Sequence, residues 1–534
     1  MRRGLLPIAA GGLFLGAALL WQGDAATGAA GAGTGWTLVA WNDLGMHCMD
    51  SNYEVFSVLP PFNTVNAQLV DPQGDLVTNP AGITVTYEAT GDATGSMNKS
   101  SVGKADFWDH SQELYGAALA ADEGLAGNDM PGAANVPQPM HWSGANQWFS
   151  AEGIPITPTD DAGASNSYPT MLLTARDSGG SVLATAIVVL PVSTEMDCRA
   201  CHASGAGPAA EPAAGWENER DYELDYRLNI LQLHDELQAG NPLYASALAA
   251  RGYDPAGLYA NVTSGQGSIL CASCHGSNAL PGTGFAGVSP LTTAVHGGHA
   301  DVVDPVNGMT LDSSDNRSSC YRCHPGSETR CLRGAMGSAV AADGELAMQC
   351  QSCHGDMSAV GDPTRAGWFE EPVCQSCHTG TATSNNGQIR YESVFEPGGA
   401  VRVAVNATFA TDQNAPAAGL SLYRFSTGHG ELQCSACHGS THAIYPGAHG
   451  NDNLQVVALQ GHAGTVSECA ACHQNVPNTV SGGPHGLHPL GQSWIEGHKD
   501  AAEHGGSAQC AACHGTDFRG TVLSRALADR TLNT

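Results

Sequence analysis

The chain is poor in charge. Of 534 residues only 13 % are Asp, Glu, Lys or Arg, about half the usual share, and aromatics reach only 6 %. Lysine is nearly missing, confined to Lys99, Lys104 and Lys499. With 51 acidic against 21 basic side chains and a formal net charge of −30, the surface repels phosphate backbones and anionic headgroups. That puts nucleic acid and membrane surfaces last among the partners to expect. So few charges also argue against a fold built mainly on long, charged-surface helices. Gly and Pro, at 67 and 28 residues, are numerous but stay below the roughly 25–30 % of a low-complexity chain, so the protein folds. Its length suits two to four domains of roughly 150 residues each.

Long apolar runs are scarce too. One stretch, Gly4 to Trp21, follows Arg2 and Arg3 and precedes the small-residue segment Asp24-Ala25-Ala26. This is the pattern of an export signal over residues 1–26, and an Ala/Gly linker over 27–35 follows it. The run is borderline in length for a bilayer span, and no other stretch is apolar enough for one. The mature chain is therefore expected to have no membrane span and to work outside the cytoplasm, in the periplasm or at the cell surface.

Cysteine, by contrast, is abundant: 18 residues, which in an exported chain would ordinarily mean disulfides. The spacing says otherwise. Sixteen form eight C-x-x-C pairs, each followed at once by His: Cys198 and Cys201 with His202, Cys271 and Cys274 with His275, Cys320 and Cys323 with His324, Cys350 and Cys353 with His354, Cys374 and Cys377 with His378, Cys434 and Cys437 with His438, Cys469 and Cys472 with His473, and Cys510 and Cys513 with His514. Zinc ribbons and redox dithiols need no His at that position, whereas C-x-x-C-H is the attachment signal of c-type haem. Two thiols on one helical turn can add to the vinyl groups of one porphyrin edge, and the next side chain carries its imidazole under the iron. Eight covalent haems (haem c) are expected. The chain from Cys198 onward is far too short for eight globin-like pockets, so the haems must pack on one another and serve as the core.

Each iron then needs a sixth ligand. Eleven further histidines lie in this region: His234, His296, His299, His429, His442, His449, His462, His485, His488, His498 and His504. Before it there are only His47, His110 and His141. Eleven candidates for eight places is what two imidazoles per iron requires, with reduction potentials low relative to Met/His cytochromes. His429, His462 and His504 each shortly precede a motif, which reads as one structural unit used three times. His296-Gly297-Gly298-His299 and His485-Gly486-Leu487-His488 place two imidazoles about one turn apart, able to serve neighbouring irons. His442 is too near His438 along the chain to cross its own haem plane and is expected on an adjacent haem. His234 falls in a helix running from about Asn218 to Gln238, where Tyr222, Tyr226, Ile230, Leu233 and Leu237 repeat with helical spacing.

Residues 36–195 lack haem motifs and read as strands. Trp36 to Trp41, Thr64 to Val70, Ile83 to Thr90, Met171 to Ala175 and Ser181 to Val192 alternate with period two, separated by turns such as Asp71-Pro72-Gln73-Gly74-Asp75. The segment from Lys99 to Asp160 gives no assignable pattern. The expected fold is an N-terminal all-β, sandwich-like domain (36–195), then a loop-rich, partly helical domain wrapped around eight covalent c-type haems (196–520) and a C-terminal tail (521–534). Cys48 and Cys331 stand outside the motifs. They are open to a disulfide tying the two domains together, to two buried thiols, or to a regulatory or ligating role. His47, beside Cys48, is a further imidazole able to reach a haem.

The motif array resembles that of multihaem (octahaem) c-type cytochromes. More narrowly, Cys434-Ser435-Ala436-Cys437-His438-Gly439-Ser440-Thr441-His442-Ala443-Ile444-Tyr445-Pro446 and Cys320-Tyr321-Arg322-Cys323-His324-Pro325-Gly326, with Cys331-Leu332-Arg333, resemble segments of large exported cytochromes from metal- and electrode-respiring bacteria. The resemblance implies single-electron transfer through eight bis-His haems in periplasmic or extracellular respiration, and no catalytic residues. The implied partners are redox proteins, other multihaem cytochromes among them, with self-association into a filament permitted by the surplus histidines. The alternative is an octahaem reductase of nitrite, hydroxylamine or tetrathionate. It would need an iron with an exchangeable face, and Lys499 is the only Lys in the haem region to suggest an unusual ligand set.

Overall fold

The computed structural model describes residues 35–196, 198–341, 344–365, 374–378, 381–383, 390–402 and 425–533. The expected export signal, 1–26, and nearly all of the 27–35 linker lie outside the described residues.

The N-terminal third is built on two four-stranded antiparallel sheets. Its strands are β1 (Thr37–Asn42), β2 (His47–Cys48), β3 (Phe56–Ser57), β4 (Asn63–Val70), β5 (Thr84–Thr90), β6 (Gln138–Pro139), β7 (His141–Ser143), β8 (Trp148–Ile154), β9 (Thr170–Arg176), β10 (Val182–Val189) and β11 (Val192–Ser193). One sheet has the order β1-β4-β8-β7 and the other β10-β9-β5-β6. In β5 the alternation is visible: Val85, Tyr87 and Ala89 point into the core beside Leu173 and Ala175 of β9, while Thr86 and Glu88 are half-buried. The five strands expected from alternation are present with small shifts at their ends.

The unassigned stretch holds regular structure that hides from a period-two reading. In β8 every residue except Glu152 is buried, because its sheet is covered on both faces, and a strand covered on both sides loses the apolar/polar alternation. The same stretch forms helix α1 (Phe107–Tyr115), which buries Phe107, Ser111 and Leu114 and stops at Gly116 in the left-handed region, φ 69°.

Strand β1 shows what covers the first sheet. Leu38 and Ala40 belong to the sandwich core, whereas Val39 and Trp41 face the other way and pack with Trp148 and with Ala436, inside the His438 motif. Trp41 and Trp148 meet edge to face at 5.7 Å. The open edge of β1 is hydrogen-bonded from the haem-motif region: Gln455 Oε1 accepts from Ala40 N (2.7 Å), Gln455 Nε2 donates to Ala40 O (3.0 Å) and Ser440 Oγ donates to Asn42 O (2.8 Å). An edge that would otherwise invite strand pairing is thereby closed.

The rest of the chain is loop-rich. Its longer helices are α2 (Tyr222–Leu237), α3 (Pro242–Arg251), α4 (Leu258–Thr263), α5 (Leu291–His299), α6 (Leu454–Gln460) and α7 (Gln492–Gly505). Helix α2 starts at Tyr222 rather than near Asn218, because Asp221 caps it by accepting from Glu223 N. One parallel bridge stitches this region to the sandwich: β3 pairs with β12 (Ile269–Leu270), which leads directly into Cys271, while β2 pairs with β11 within the sandwich domain.

Two buried arginines complete the seam. Arg227 of α2 donates to Phe56 O (3.1 Å), pairs with Glu223 (3.3 Å) and lies over the Phe56 ring. Arg333, 1 % exposed, grips Asp452 with Nε and Nη2, both at 2.7 Å, and donates from Nη1 to Gly45 O. A bidentate pair this far from water is secured by its extra hydrogen bonds, and losing one partner from such a pair costs about 3–5 kcal/mol.

Candidate metal centres

Each C-x-x-C-H motif folds as one short helical turn, α-helical at Arg199–His202, Cys271–Cys274, Gln351–His354, Cys434–His438 and Ala511–His514, and 3-10 at Ser319–Arg322, Cys374–Ser376 and Cys469–Ala471. In six motifs the His amide donates to the carbonyl of the first Cys at 2.9–3.0 Å: His202, His275, His324, His354, His378 and His473. That bond closes the turn and brings both cysteines to one side, with the imidazole projecting beyond them. Gly355, Gly439 and Gly515 follow three of the motifs at φ 79°, 86° and 80°, a left-handed exit that a side chain would strain.

The second cysteine of five motifs is held by the same turn. Cys201 N donates to Cys198 O (3.3 Å) and Cys353 N to Cys350 O (3.1 Å), with the same bond at Cys323 (3.3 Å), Cys377 (3.1 Å) and Cys472 (3.2 Å). All sixteen motif cysteines are free of disulfides. Cys201, Cys274, Cys323, Cys353, Cys437, Cys472 and Cys513 are half-buried, whereas Cys377 is buried. The surroundings are uneven: Cys353 and Cys377 share one small apolar cluster with Met348, Val394, Tyr391 and Phe395, while Cys201 belongs to no such cluster. Cys201 and Cys353, alike in spacing, thus differ in setting, which the eightfold motif does not reveal.

Seven of the eight motif imidazoles face a second imidazole. The pairs and ring-centroid distances are His202 with His299 (6.3 Å), His275 with His234 (6.3 Å), His324 with His296 (6.1 Å), His354 with His442 (6.3 Å), His438 with His485 (6.0 Å), His473 with His429 (6.1 Å) and His514 with His488 (6.2 Å). The spacing has a simple reading. With a metal–nitrogen bond of about 2.0 Å and a ring centre about 1.1 Å behind Nε2, two imidazoles on opposite sides of one metal have centroids about 6.2 Å apart. Interplanar angles range from 11° to 90°, as expected when rotation about the common axis is unconstrained.

Four of the partner histidines are oriented by the bond a metal-binding imidazole makes with its other nitrogen. Nδ1 of His296 donates to Thr292 O (2.8 Å), His299 to Val295 O (2.6 Å), His442 to Leu44 O (3.0 Å) and His488 to Pro489 O (3.0 Å). On the motif side, His275 Nδ1 donates to Ser289 O (2.9 Å). The proton on Nδ1 leaves the Nε2 lone pair available. His488 also stacks on Trp494 at 3.9 Å.

Burial keeps four of the motif rings neutral. It lowers His202, His324 and His438 to about 4 and His354 to about 3, with the facing imidazole adding to the effect. Burial also pushes the thiols of Cys271, Cys374 and Cys437 up to about 12, the reverse of what a thiolate metal site needs. Among the described residues no three His, Cys, Asp or Glu side chains gather as a metal site. Zinc or another bare ion does not fit this donor set. Two axial nitrogens with two thiols beside one of them fit a porphyrin iron, whose ring brings its own four nitrogens.

Two expected ligands have other work. His449 stacks on Tyr168 at 3.9 Å, and its Nδ1 accepts from Asn451 N (3.3 Å). The proton is therefore on Nε2, the wrong tautomer for Nε2 ligation. His462 has both nitrogens engaged, Nδ1 with Ala463 O (3.0 Å) and Nε2 toward Glu468 (3.5 Å), which also pairs with Arg530. His498 and His504 lie exposed on α7.

The expectation that three short spacers form one repeated unit also fails. His429 opens a 3-10 turn, His462 sits in irregular chain and His504 ends a helix, because spacer length alone does not set a conformation. His47 packs against the Phe62 ring at 5.5 Å. Cys48 and Cys331 are free thiols, and Cys331 Sγ lies 3.7 Å from His442 Nδ1. Lys499 is on the surface, paired with Glu503 at 3.8 Å.

The motif connections were not legible from spacing. Helix α5 carries His296 and His299 to two different motifs. Asn229 of α2 donates to His202 O (3.0 Å), and the same helix carries His234 to His275. Gln351 Nε2 donates to Ser319 Oγ and Arg317 Nη2 to Ser352 Oγ, both 3.1 Å, joining the His324 and His354 motifs. Val394 N to Ser352 O and Tyr391 N to Cys377 O, both 2.9 Å, join those of His354 and His378, and Ala382 N to Ala512 O (2.7 Å) joins those of His378 and His514. Val466 N to Cys437 O (2.9 Å) leads from the His438 motif toward that of His473.

Residues 346–523 match the family model described as outer membrane cytochrome MtrC/MtrF-like, domains II/IV. The match spans about a third of the chain and takes in the five motifs from Cys350 to His514. No curated protein and no solved structure matches the chain. Over those residues the chain is similar to multihaem cytochromes of metal-respiring bacteria. No helix among the described residues is long and apolar enough to cross a membrane.

Proposed function

We propose that this chain binds eight c-type haems, one on each C-x-x-C-H motif, and passes single electrons along them as an exported respiratory conduit working in the periplasm or at the cell surface. When bound, such a haem supplies a one-electron iron couple of low potential. The chain's own residues do the rest. Cys198 and Cys201, Cys350 and Cys353, and their six counterpart pairs anchor each porphyrin, and the motif histidines take one axial position. His234, His296, His299, His429, His442, His485 and His488 take the other in seven cases.

The observation that carries the reading is the set of seven imidazole pairs at 6.0–6.3 Å. Two strong ligands on each of those seven irons would leave no position for substrate there, which favours conduction over bond chemistry. The connections between motifs support neighbours that differ from the order in sequence: His275, His202, His324, His354 and His378 in one run, with the motifs of His514 and His438 both beside that of His378 and the motif of His473 beyond that of His438. The His275 and His473 sites then lie at outer positions of the array, where redox partners, other multihaem cytochromes among them, give and take electrons. An acidic chain favours a basic docking face on such a partner.

The reductase alternative draws on a single observation, that the His378 motif has no facing imidazole among the described residues. One experiment covers both readings. Intact mass and pyridine haemochrome spectroscopy of the purified protein count the haems, and low-temperature EPR of the oxidised form reads their ligation. Eight haems, all low-spin with imidazole pairs, are expected. Markedly fewer haems sinks the conduit as drawn, and a high-spin haem that binds nitrite or hydroxylamine replaces it with the reductase.

A further inference from the structure

One iron of the eight-haem reading still lacks its second imidazole, and the inference here rests on that reading. The described residues include all 22 histidines, and none of them is set opposite His378 as in the other seven sites. Of the eleven candidates, four face no motif histidine: His449, His462, His498 and His504. The protonation of each ring sorts them. An imidazole that binds iron through Nε2 carries its proton on Nδ1, and the bond made by Nδ1 reveals which tautomer is present.

His449 Nδ1 accepts from Asn451 N, so that ring is in the other form. His462 has Nδ1 on Ala463 O (3.0 Å), as a ligand would, but its Nε2 is already turned to the Glu468 carboxylate (3.5 Å). The two on α7 have Nδ1 on a backbone carbonyl: His498 on Ile495 O (2.6 Å), three residues back, and His504 on Asp500 O (2.9 Å), four residues back. The four-residue bond is the one made on α5 by His296 to Thr292 and by His299 to Val295, both of which face motif histidines. His504 is thus prepared in the way the paired helix-borne ligands are prepared.

Placement agrees. Ala382, shortly after His378, donates to the carbonyl of Ala512, shortly after His504 (2.7 Å), so the chain beyond α7 lies against the chain beyond the His378 motif. The exposure of His504 leaves room for a porphyrin between it and a partner ring.

We propose that His504 Nε2 is the sixth ligand of the iron carried by the His378 motif, within the same chain. The test uses the full-length holoprotein and three preparations: wild type, His504→Gly and His498→Ala. Peptide mass mapping counts the haems and confirms one on Cys374 and Cys377, while EPR and magnetic circular dichroism read the spin states. His504→Gly is expected to keep all eight haems, convert one of them to high spin, and return it to low spin when imidazole is added. His498→Ala is expected to remain fully low-spin.

A His504→Gly protein that stays fully low-spin overturns the assignment, and so does a high-spin haem in His498→Ala instead. A wild-type low-spin signal that diminishes on dilution also overturns it, since the ligand would then come from a second copy. An unmodified peptide carrying Cys374 and Cys377 in the wild type sinks the eight-haem reading itself, a result distinct from the other three because it is seen in mass and not in spin state.

Discussion

Gly74 illustrates how much a single residue of the sandwich matters to a metal centre. It sits in the Asp71 to Asp75 turn, where Asp71 Oδ1 accepts from Gln73 N (2.8 Å) and Asp75 N (3.0 Å) and Gly74 N donates to Asp71 O (2.9 Å). Its φ is +90°, and a Cβ there would run into Nδ1 of His473. Two penalties coincide, left-handed strain and a collision with a ring that has to stay opposite His429. Gly74→Ala is therefore expected to shift the potential and EPR g-values of one haem out of eight, with the haem count unchanged. A spectrum identical to wild type would mean that the turn yields and the ring does not depend on it.

At the scale of elements, α5 serves two centres from one turn. His296 and His299 share a face, each anchored four residues back, and they reach His324 and His202 respectively. His296→Ala and His299→Ala are each expected to turn one haem high-spin, with the double variant turning two. The two haems affected belong to motifs that are far apart in sequence, which redox titration of each variant separates. If both single variants altered the same haem, the helix would be serving one centre and the proposed run of neighbouring motifs would fail. β1 performs a comparable double task, with Leu38 and Ala40 in the sandwich core and Val39 and Trp41 against the His438 motif.

For the whole molecule, the seam between sandwich and haem-motif region is polar at its ends. The Glu195 carboxylate, just beyond β11, accepts from Glu328 N (2.6 Å), Thr329 N (2.8 Å) and the hydroxyls of Ser327 and Thr329. Burial alone would raise this carboxyl, but the two hydroxyls and two amides outweigh it and hold it below the usual carboxylate range. A carboxyl depressed in the folded state binds fewer protons there than in the unfolded chain. Its contribution is thus present above the unfolded value, about 4.3, and is lost as pH falls through the folded one. Glu195→Gln is expected to lower the urea midpoint at pH 7 and to differ little from wild type near pH 3. An equal gap at both pH values would show that charge plays no part in the clamp.

Much of the chemistry stood in the linear chain. Eight C-x-x-C-H motifs, a surplus of histidines after Cys198 and the alternating strands before it are local patterns, and local patterns survive into the fold because a helical turn or a half-covered strand is determined by a few neighbours. The spacing of His296 and His299 on one turn belongs to the same class. The pairing of His442 with His354, of His429 with His473 and of His485 with His438 does not, because each joins residues whose approach depends on how loops pack. The apolar neighbours of Cys353, which Cys201 does not share, belong with these. The same holds for His449 and His462, which sequence counts as ligands and which packing turns to a turn cap beside Tyr168 and to a contact with the Glu468 carboxylate. β8 escaped notice for a related reason, since burial on both faces erases the alternation that marks a strand. Residue type and spacing decided what each motif can bind, whereas only the tertiary structure decided which imidazole meets which, since that choice is made by contacts between segments distant in the chain.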